Sequence, residues 1–210
     1  MNKEVILNFL PMVANKYLLL NAIMHILIYG VLAMVFLSGS KWKRIAFDSM
    51  IVLLLVSVAA ISILNGNPFN FLTFTILSVF AVIELFKAEN DIKFDVFSLN
   101  TLACIAIILV GLWYPHFANT HPVLMLLLAP TGIIPCPTLM VVLGLLNLVY
   151  PKINRGLYTV TSLMGVFYGA TGIFMLKVTL DVPLLLIAAY SVYNLKFLFI
   201  KPDRNIKRVI

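Results

Sequence analysis

The sequence predicts an all-α integral membrane bundle: seven transmembrane helices, the fifth broken by proline and glycine. Three observations lead there. Of 210 residues, 62% are hydrophobic and 11% charged, whereas a soluble domain carries roughly a quarter of its residues charged. The apolar residues fall into seven runs of about the length a helix needs to cross a bilayer. Basic residues cluster in the connections between alternate runs, the pattern of cytoplasmic membrane loops.

The runs cover 17–38, 45–64, 71–86, 96–113, 122–150, 157–175 and 182–200. They fill the chain as one transmembrane domain, 1–210, with no space for a separate soluble catalytic domain. Runs this long and uniform are helices, because backbone facing lipid must satisfy its own hydrogen bonds and barrel strands are shorter and alternate.

Ahead of the first run, residues 2–16 mix Val5, Ile6, Leu7, Phe9 and Leu10 with polar residues. This stretch is either an amphipathic segment on the outer surface or a loop. No cleavable signal peptide is evident there. The first span carries Asn21 and His25 one turn apart, hence on one face. A histidine at that depth either handles a proton or cation or makes an interhelical hydrogen bond.

Ser38-Gly39-Ser40 closes the first span, and Asn65-Gly66-Asn67-Pro68 separates the second from the third. The third span is short and calls for flanking residues or a thinned bilayer to complete its crossing. Asp48, Glu84 and Lys196 lie near the inner boundary, where pairing or snorkelling explains them. His116 and His121, in the outer loop after Trp113 and Tyr114, are two histidines without a third ligand. Interfacial anchoring is the preferred reading of that loop.

The fifth span, at 29 residues, is longer than one perpendicular helix needs, and it contains Pro130, Gly132, Pro135 and Pro137. Interior prolines remove donors and clash with the preceding turn, so the helix unwinds or kinks there. Non-helical backbone at membrane depth survives only when buried in protein or lining a watery cavity, and such breaks commonly build transporter sites. The second half is expected to start near Pro137, presenting Cys136 at the break and Thr138 at a positive dipole end. At 1.5 Å per helical residue, both Cys104 and Cys136 are expected in the inner half of the bilayer. Both lie inside apolar runs, so a secreted disulfide framework is excluded. Each is either a small hydrophobe or half of a thiol pair for a soft metal or electron exchange.

In the sixth span, Gly165, Gly169 and Gly172 place small residues along one face for close helix packing, within the chain or in a homo-oligomer. Lys177 and Asp181, four apart at its outer end, are expected to form a local pair or a solvated cap.

Counting each run as one crossing puts Lys41, Lys43, Arg44, Lys87, Lys93, Lys152, Arg155, Lys201, Arg204, Lys207 and Arg208 on one side. Lys3, Lys16 and Lys177 fall on the other. Eleven against three sets the N-terminus outside and the basic C-terminus in the cytoplasm, with the protein in the cytoplasmic membrane. The net charge of +7 is thereby assigned to membrane loops, and nucleic acid is excluded as a partner. There is no HExxH pair, phosphate-cradling glycine loop or GxSxG elbow, so nothing points to an enzyme, and no cofactor is implied.

Gly132-Ile133-Ile134-Pro135-Cys136-Pro137-Thr138, continuing into Leu143-Gly144-Leu145-Leu146, resembles a family of uncharacterised bacterial and archaeal multi-pass membrane proteins with a Pro-Cys-Pro-Thr helix. Gly169-Ala170-Thr171-Gly172 through Val178-Thr179-Leu180-Asp181 looks similar to their Gly/Ala-rich helix ending in Asp. That resemblance covers about residues 110–185 and implies the membrane class without an activity. A narrower likeness ties the Pro-Cys-Pro segment to nickel/cobalt exporters, whose His-rich loop and H-x4-D-H element this chain lacks.

Together these readings point to a transporter or permease for a small solute or ion, a metal cation included. Its site is expected at Pro135, Cys136 and Thr138, with His25 as a polar partner. The competing readings are a membrane subunit or assembly factor docking a partner through the glycine face, and a thiol–disulfide carrier using Cys104 and Cys136.

Overall fold

The computed structural model describes residues 3–37, 42–87, 98–115 and 121–200. The expectations placed on His116, on Ser38-Gly39-Ser40 and on the basic residues Lys41, Lys93, Lys201, Arg204, Lys207 and Arg208 lie outside them. Among the described residues the chain is helical, with no strand.

The N-terminal stretch resolves as a helix, α1 (Lys3–Lys16), in which Val13 and Ala14 are buried. Then follow α2 (Leu18–Leu37), α3 (Lys43–Leu64), α4 (Pro68–Lys87) and α5 (Leu99–Trp113). The fifth run splits into α6 (Met125–Leu128) and α7 (Pro135–Val149). The sixth is α8 (Arg155–Ala170), which widens into a π-helical segment (Thr171–Leu176). A 3-10 turn (Thr179–Asp181) leads into α9 (Val182–Ile200).

Local chemistry sets these boundaries. Asn67 accepts the Asn70 N–H at 3.0 Å and Pro68 occupies the first helical position, where its missing donor costs nothing. The helix therefore begins three residues earlier than hydropathy alone suggests and reaches 20 residues. Flanking residues thus lengthen the third span, one of the two routes expected for it. Ser98 caps α5 through the Thr101 N–H, and Asn154 caps α8 through the Leu157 N–H.

Among the described residues, four stretches are long and apolar enough to cross a membrane: α2, α3, α4, and α8 with its π segment. They support a membrane protein. α5 and α7 are apolar but only 15 residues long. Neighbouring helices run antiparallel, so the bundle has two ends. One gathers Arg44, Glu84 and Asn154; the other gathers Tyr114, Asp181 and the start of α7.

α7 is the core of the bundle. α5, α8, α9 and α3 pack around it, and Leu139 through Val149 are all buried. A helix apolar on every side belongs in an interior, as this one does. Outer helices show the opposite habit: Leu19, Ile23, Ile26 and Leu37 of α2 are exposed, an apolar face suited to lipid.

Glycines let helices close on α7. A Cβ at Gly111 would lie 2.8 Å from Val141 Cγ2 and 3.1 Å from the Pro137 carbonyl. One at Gly144 would lie 2.5 Å from Ile108 Cγ1 and 3.3 Å from the Cys104 carbonyl. On α8, Gly165 faces Leu143 and Ala188, and a Cβ at Gly169 would lie 3.0 Å from the Leu185 backbone. Both positions thus admit helices of the same chain.

Candidate functional site

The break in the fifth run has a definite local cause. α6 ends at Leu128, and residues 129–134 turn back through Gly132, whose φ of +86° is strained for any residue with a Cβ. Thr138 pins this turn. Its hydroxyl accepts the Gly132 N–H at 2.8 Å and donates to the Ile134 carbonyl at 2.7 Å. Thr131 donates to the Gly111 carbonyl at 2.9 Å, fastening the turn to α5.

Helix α7 starts at Pro135, two residues before the expected Pro137. The two prolines have a purpose beyond breaking a helix. The first turn of a helix leaves backbone donors unpaired, which is costly in an apolar interior. Proline at the first and third positions removes two of them, and Thr138 N–H reaches the Ile134 carbonyl at 3.4 Å. Only the Cys136 N–H is left in that turn.

Cys136 is the distinctive residue here. From Ala129 to Val149 every residue is buried except Cys136, which is half-buried. Its thiol lies close enough to the Asp181 carboxylate for the two to interact electrostatically. Asp181 is 1% exposed and accepts the Tyr114 O–H at 2.6 Å. Tyr168, close to Cys136, donates to Asn70 Oδ1 at 2.7 Å. Burial raises the Asp181 carboxyl to about 6, with the Tyr114 hydrogen bond and the nearby Cys136 thiol opposing the rise.

Gly172 makes the seat for that carboxylate. A Cβ there would overlap Asp181 Oδ2 outright and sit 2.9 Å from its Cβ. Gly172 was expected to admit a neighbouring helix; it admits an acid. The widened π segment that carries it is the kind of helix defect frequently found at functional sites. Lys177 closes the segment in a left-handed conformation (φ 58°) and is exposed. The expected pair between Lys177 and Asp181 is absent, because Asp181 turns inward to Tyr114 and Cys136.

The two cysteines are apart. α5 and α7 are antiparallel, and the Cys104 carbonyl abuts Gly144, eight residues along α7 from Cys136. That is roughly 12 Å of helix axis, well beyond disulfide reach. The expectation that both thiols share one half of the bundle fails for a simple reason. It counted 1.5 Å per residue through residues 129–134, which do not advance as a helix. No group of three or more His, Cys, Asp or Glu residues suited to a metal occurs among the described residues.

His25 is buried, with Nδ1 2.8 Å from the Asn21 carbonyl and Nε2 3.1 Å from the Leu112 carbonyl. Asn21 bonds the Ala14 and Leu128 carbonyls. These residues tie α1, α2, α5 and α6 together on one side of the break. His25 has no bond to Cys136 or Asp181. His121 is exposed and accepts the Val123 N–H at 3.4 Å, a turn contact.

At the far end, Arg44 bonds Asp48 Oδ2 at 2.7 Å and also Glu84 Oε1. Arg44 reaches the Lys152 carbonyl at 3.2 Å, and Glu84 Oε2 accepts the Asn154 N–H at 2.9 Å. The pairing expected of Asp48 and Glu84 thus runs through Arg44. Lys196 lies 3.4 Å from the centre of the Tyr193 ring. A third network, Tyr158–Asn147–Ser191, links α8, α7 and α9 at 2.8 and 2.7 Å.

The arrangement makes an all-helical bundle with a polar cluster, Tyr114, Cys136 and Asp181, at one end of its core helix. Compared with family models, curated proteins and solved structures, the chain matches none.

Proposed function

We propose that this chain is a seven-span transporter or permease of the cytoplasmic membrane for a small solute or ion. In this reading its N-terminus is outside, its C-terminus is cytoplasmic, and its site lies at the broken fifth helix. The observation that carries the reading is that Cys136 alone, between 129 and 149, escapes full burial in the core helix. Irregular backbone at such a break needs shelter from lipid, and residues 129–134 have it, being buried throughout. Transporters use the same combination, half-helix ends and non-helical backbone next to a solute path. The eleven-to-three distribution of basic residues supports the orientation.

Within the site, Cys136 and Pro135 form the mouth, Asp181 and Tyr114 supply polar contacts, and Thr138 holds the turn in shape. His25 acts as a brace between helices. The alternative of a partner-docking subunit has lost its named surface, since Gly165 and Gly169 face helices of the same chain.

The test is uptake into liposomes carrying the full chain, across a panel of monovalent and divalent ions and small neutral solutes. A bulky thiol reagent should abolish the flux, and Cys136→Ala should make it resistant to the reagent. No flux above protein-free liposomes for any solute, or inhibition that persists in Cys136→Ala, rejects the site.

A further inference from the structure

Asp181 poses a problem of charge. It is a carboxylate at 1% exposure, and burying an unpaired charge is costly enough that such a group normally finds a counter-charge or takes up a proton. No Lys, Arg or His nitrogen lies within ion-pair distance of it among the described residues.

Among the described residues, the side chains that interact with it are neutral. Tyr114 at the end of α5 donates a hydrogen bond, and the Cys136 thiol at the start of α7 lies nearby. α8 contributes Tyr168, which is committed to Asn70. The π segment contributes Gly172, and α9 carries Lys196 only fourteen residues beyond its start, at the opposite end. Lys177, just ahead of the acid's turn, is exposed and forms no ion pair with it. The Arg44 end shows what a compensated acid looks like in this protein, with a guanidinium bonded to both carboxylates. Gly172, meanwhile, leaves the space that Oδ2 itself occupies, which any side chain there would fill.

We propose that Asp181 is a proton-binding carboxyl, loaded and emptied from the side of Cys136, the one residue of 129–149 that is not fully buried. The proton comes from water and returns to water; one O–H bond forms at the carboxylate, neutralising it, and no other bond changes. Its raised affinity for a proton, about 6 against 3.8 for a free carboxyl, agrees with that geometry. Coupling of this proton to solute movement rests on the transport reading; the binding itself does not.

Infrared difference spectroscopy on the full chain in liposomes reads the carbonyl stretch of a protonated carboxylic acid as pH is varied. The expected result is a band that titrates near pH 6 and is missing in Asp181→Asn. Tyr114→Phe removes a hydrogen bond that favours the charged form, so its midpoint should rise by about one pH unit. That variant keeps the test decisive if Asp181→Asn does not fold. Labelling Cys136 with a bulky maleimide should slow the appearance of the band at least severalfold after a pH jump. Identical titrations in wild type and Asp181→Asn, an unmoved midpoint in Tyr114→Phe, or unchanged kinetics after labelling would each overturn the proposal. A titrating Asp181 in liposomes that pass no solute would count against the transport reading alone.

Discussion

The two ends of the bundle handle buried acids in opposite ways. At one end Asp48 and Glu84 share a guanidinium, and Glu84 also takes a backbone N–H from the loop before α8. At the other end Asp181 has a phenol and a thiol beside it and, among the described residues, no cation. The first arrangement fastens α3, α4 and the α7–α8 connection, so its purpose is structural. The second spends folding stability on an acid beside the one residue of the core helix's start that is not fully buried. Uncompensated groups of this kind mark function more often than architecture.

The sharpest way to break this contrast is at Arg44. Arg44→Leu strands two buried carboxylates and should cost about 3–5 kcal/mol, read as unfolding of the detergent-solubilised chain. Replacing Arg44, Asp48 and Glu84 together by apolar residues of similar size should cost much less. Equal losses would show that the cluster is not held by pairing.

Next comes pH. The folded chain holds the Asp181 proton more tightly than the unfolded chain, with 6 against 3.8. This contribution to stability is complete below about pH 4 and is lost as pH rises to about 6. The fall amounts to about 3 kcal/mol. Asp181→Asn should remove that component of the pH profile while leaving the rest.

A smaller effect is expected from Gly172→Ala, which places a methyl where Asp181 Oδ2 lies. Overpacking of this kind costs about 1–3 kcal/mol, and the same substitution at the open Gly30 should cost nothing measurable on that account. Smallest is Tyr114→Phe, about 1 kcal/mol for one hydrogen bond. Circular-dichroism melts at fixed pH compare all of these variants.

The sequence made some of this legible and concealed the rest. The break itself is visible, since Pro130, Gly132, Pro135 and Pro137 leave no continuous ladder of hydrogen bonds. Its depth is not, because a length-per-residue estimate holds only through real helix. That error moved Cys136 toward Cys104 when its partners are Tyr114 and Asp181. The acid was hidden by distance: Tyr114 and Asp181 are 67 residues apart, on elements whose pairing no local pattern reveals. Lys177, four residues away, was the natural partner on paper. A signal was nonetheless present in Gly172, since a glycine nine residues ahead of a lone acid, at the mouth of two spans, marks room for something. The brace at His25 was readable from its spacing to Asn21, and the pairing of Asp48 and Glu84 from their depth.

The account stands or falls on whether water reaches the core helix at Cys136 and nowhere near Cys104. The direct measurement labels sealed vesicles of single-cysteine variants with a membrane-impermeant maleimide. Cys136, in the Cys104→Ala chain, should react from the side that bears the N-terminus, while Cys104, in the Cys136→Ala chain, should stay unlabelled from both sides. A Cys136 that resists the reagent from either side, or a Cys104 that reacts as fast, would contradict it.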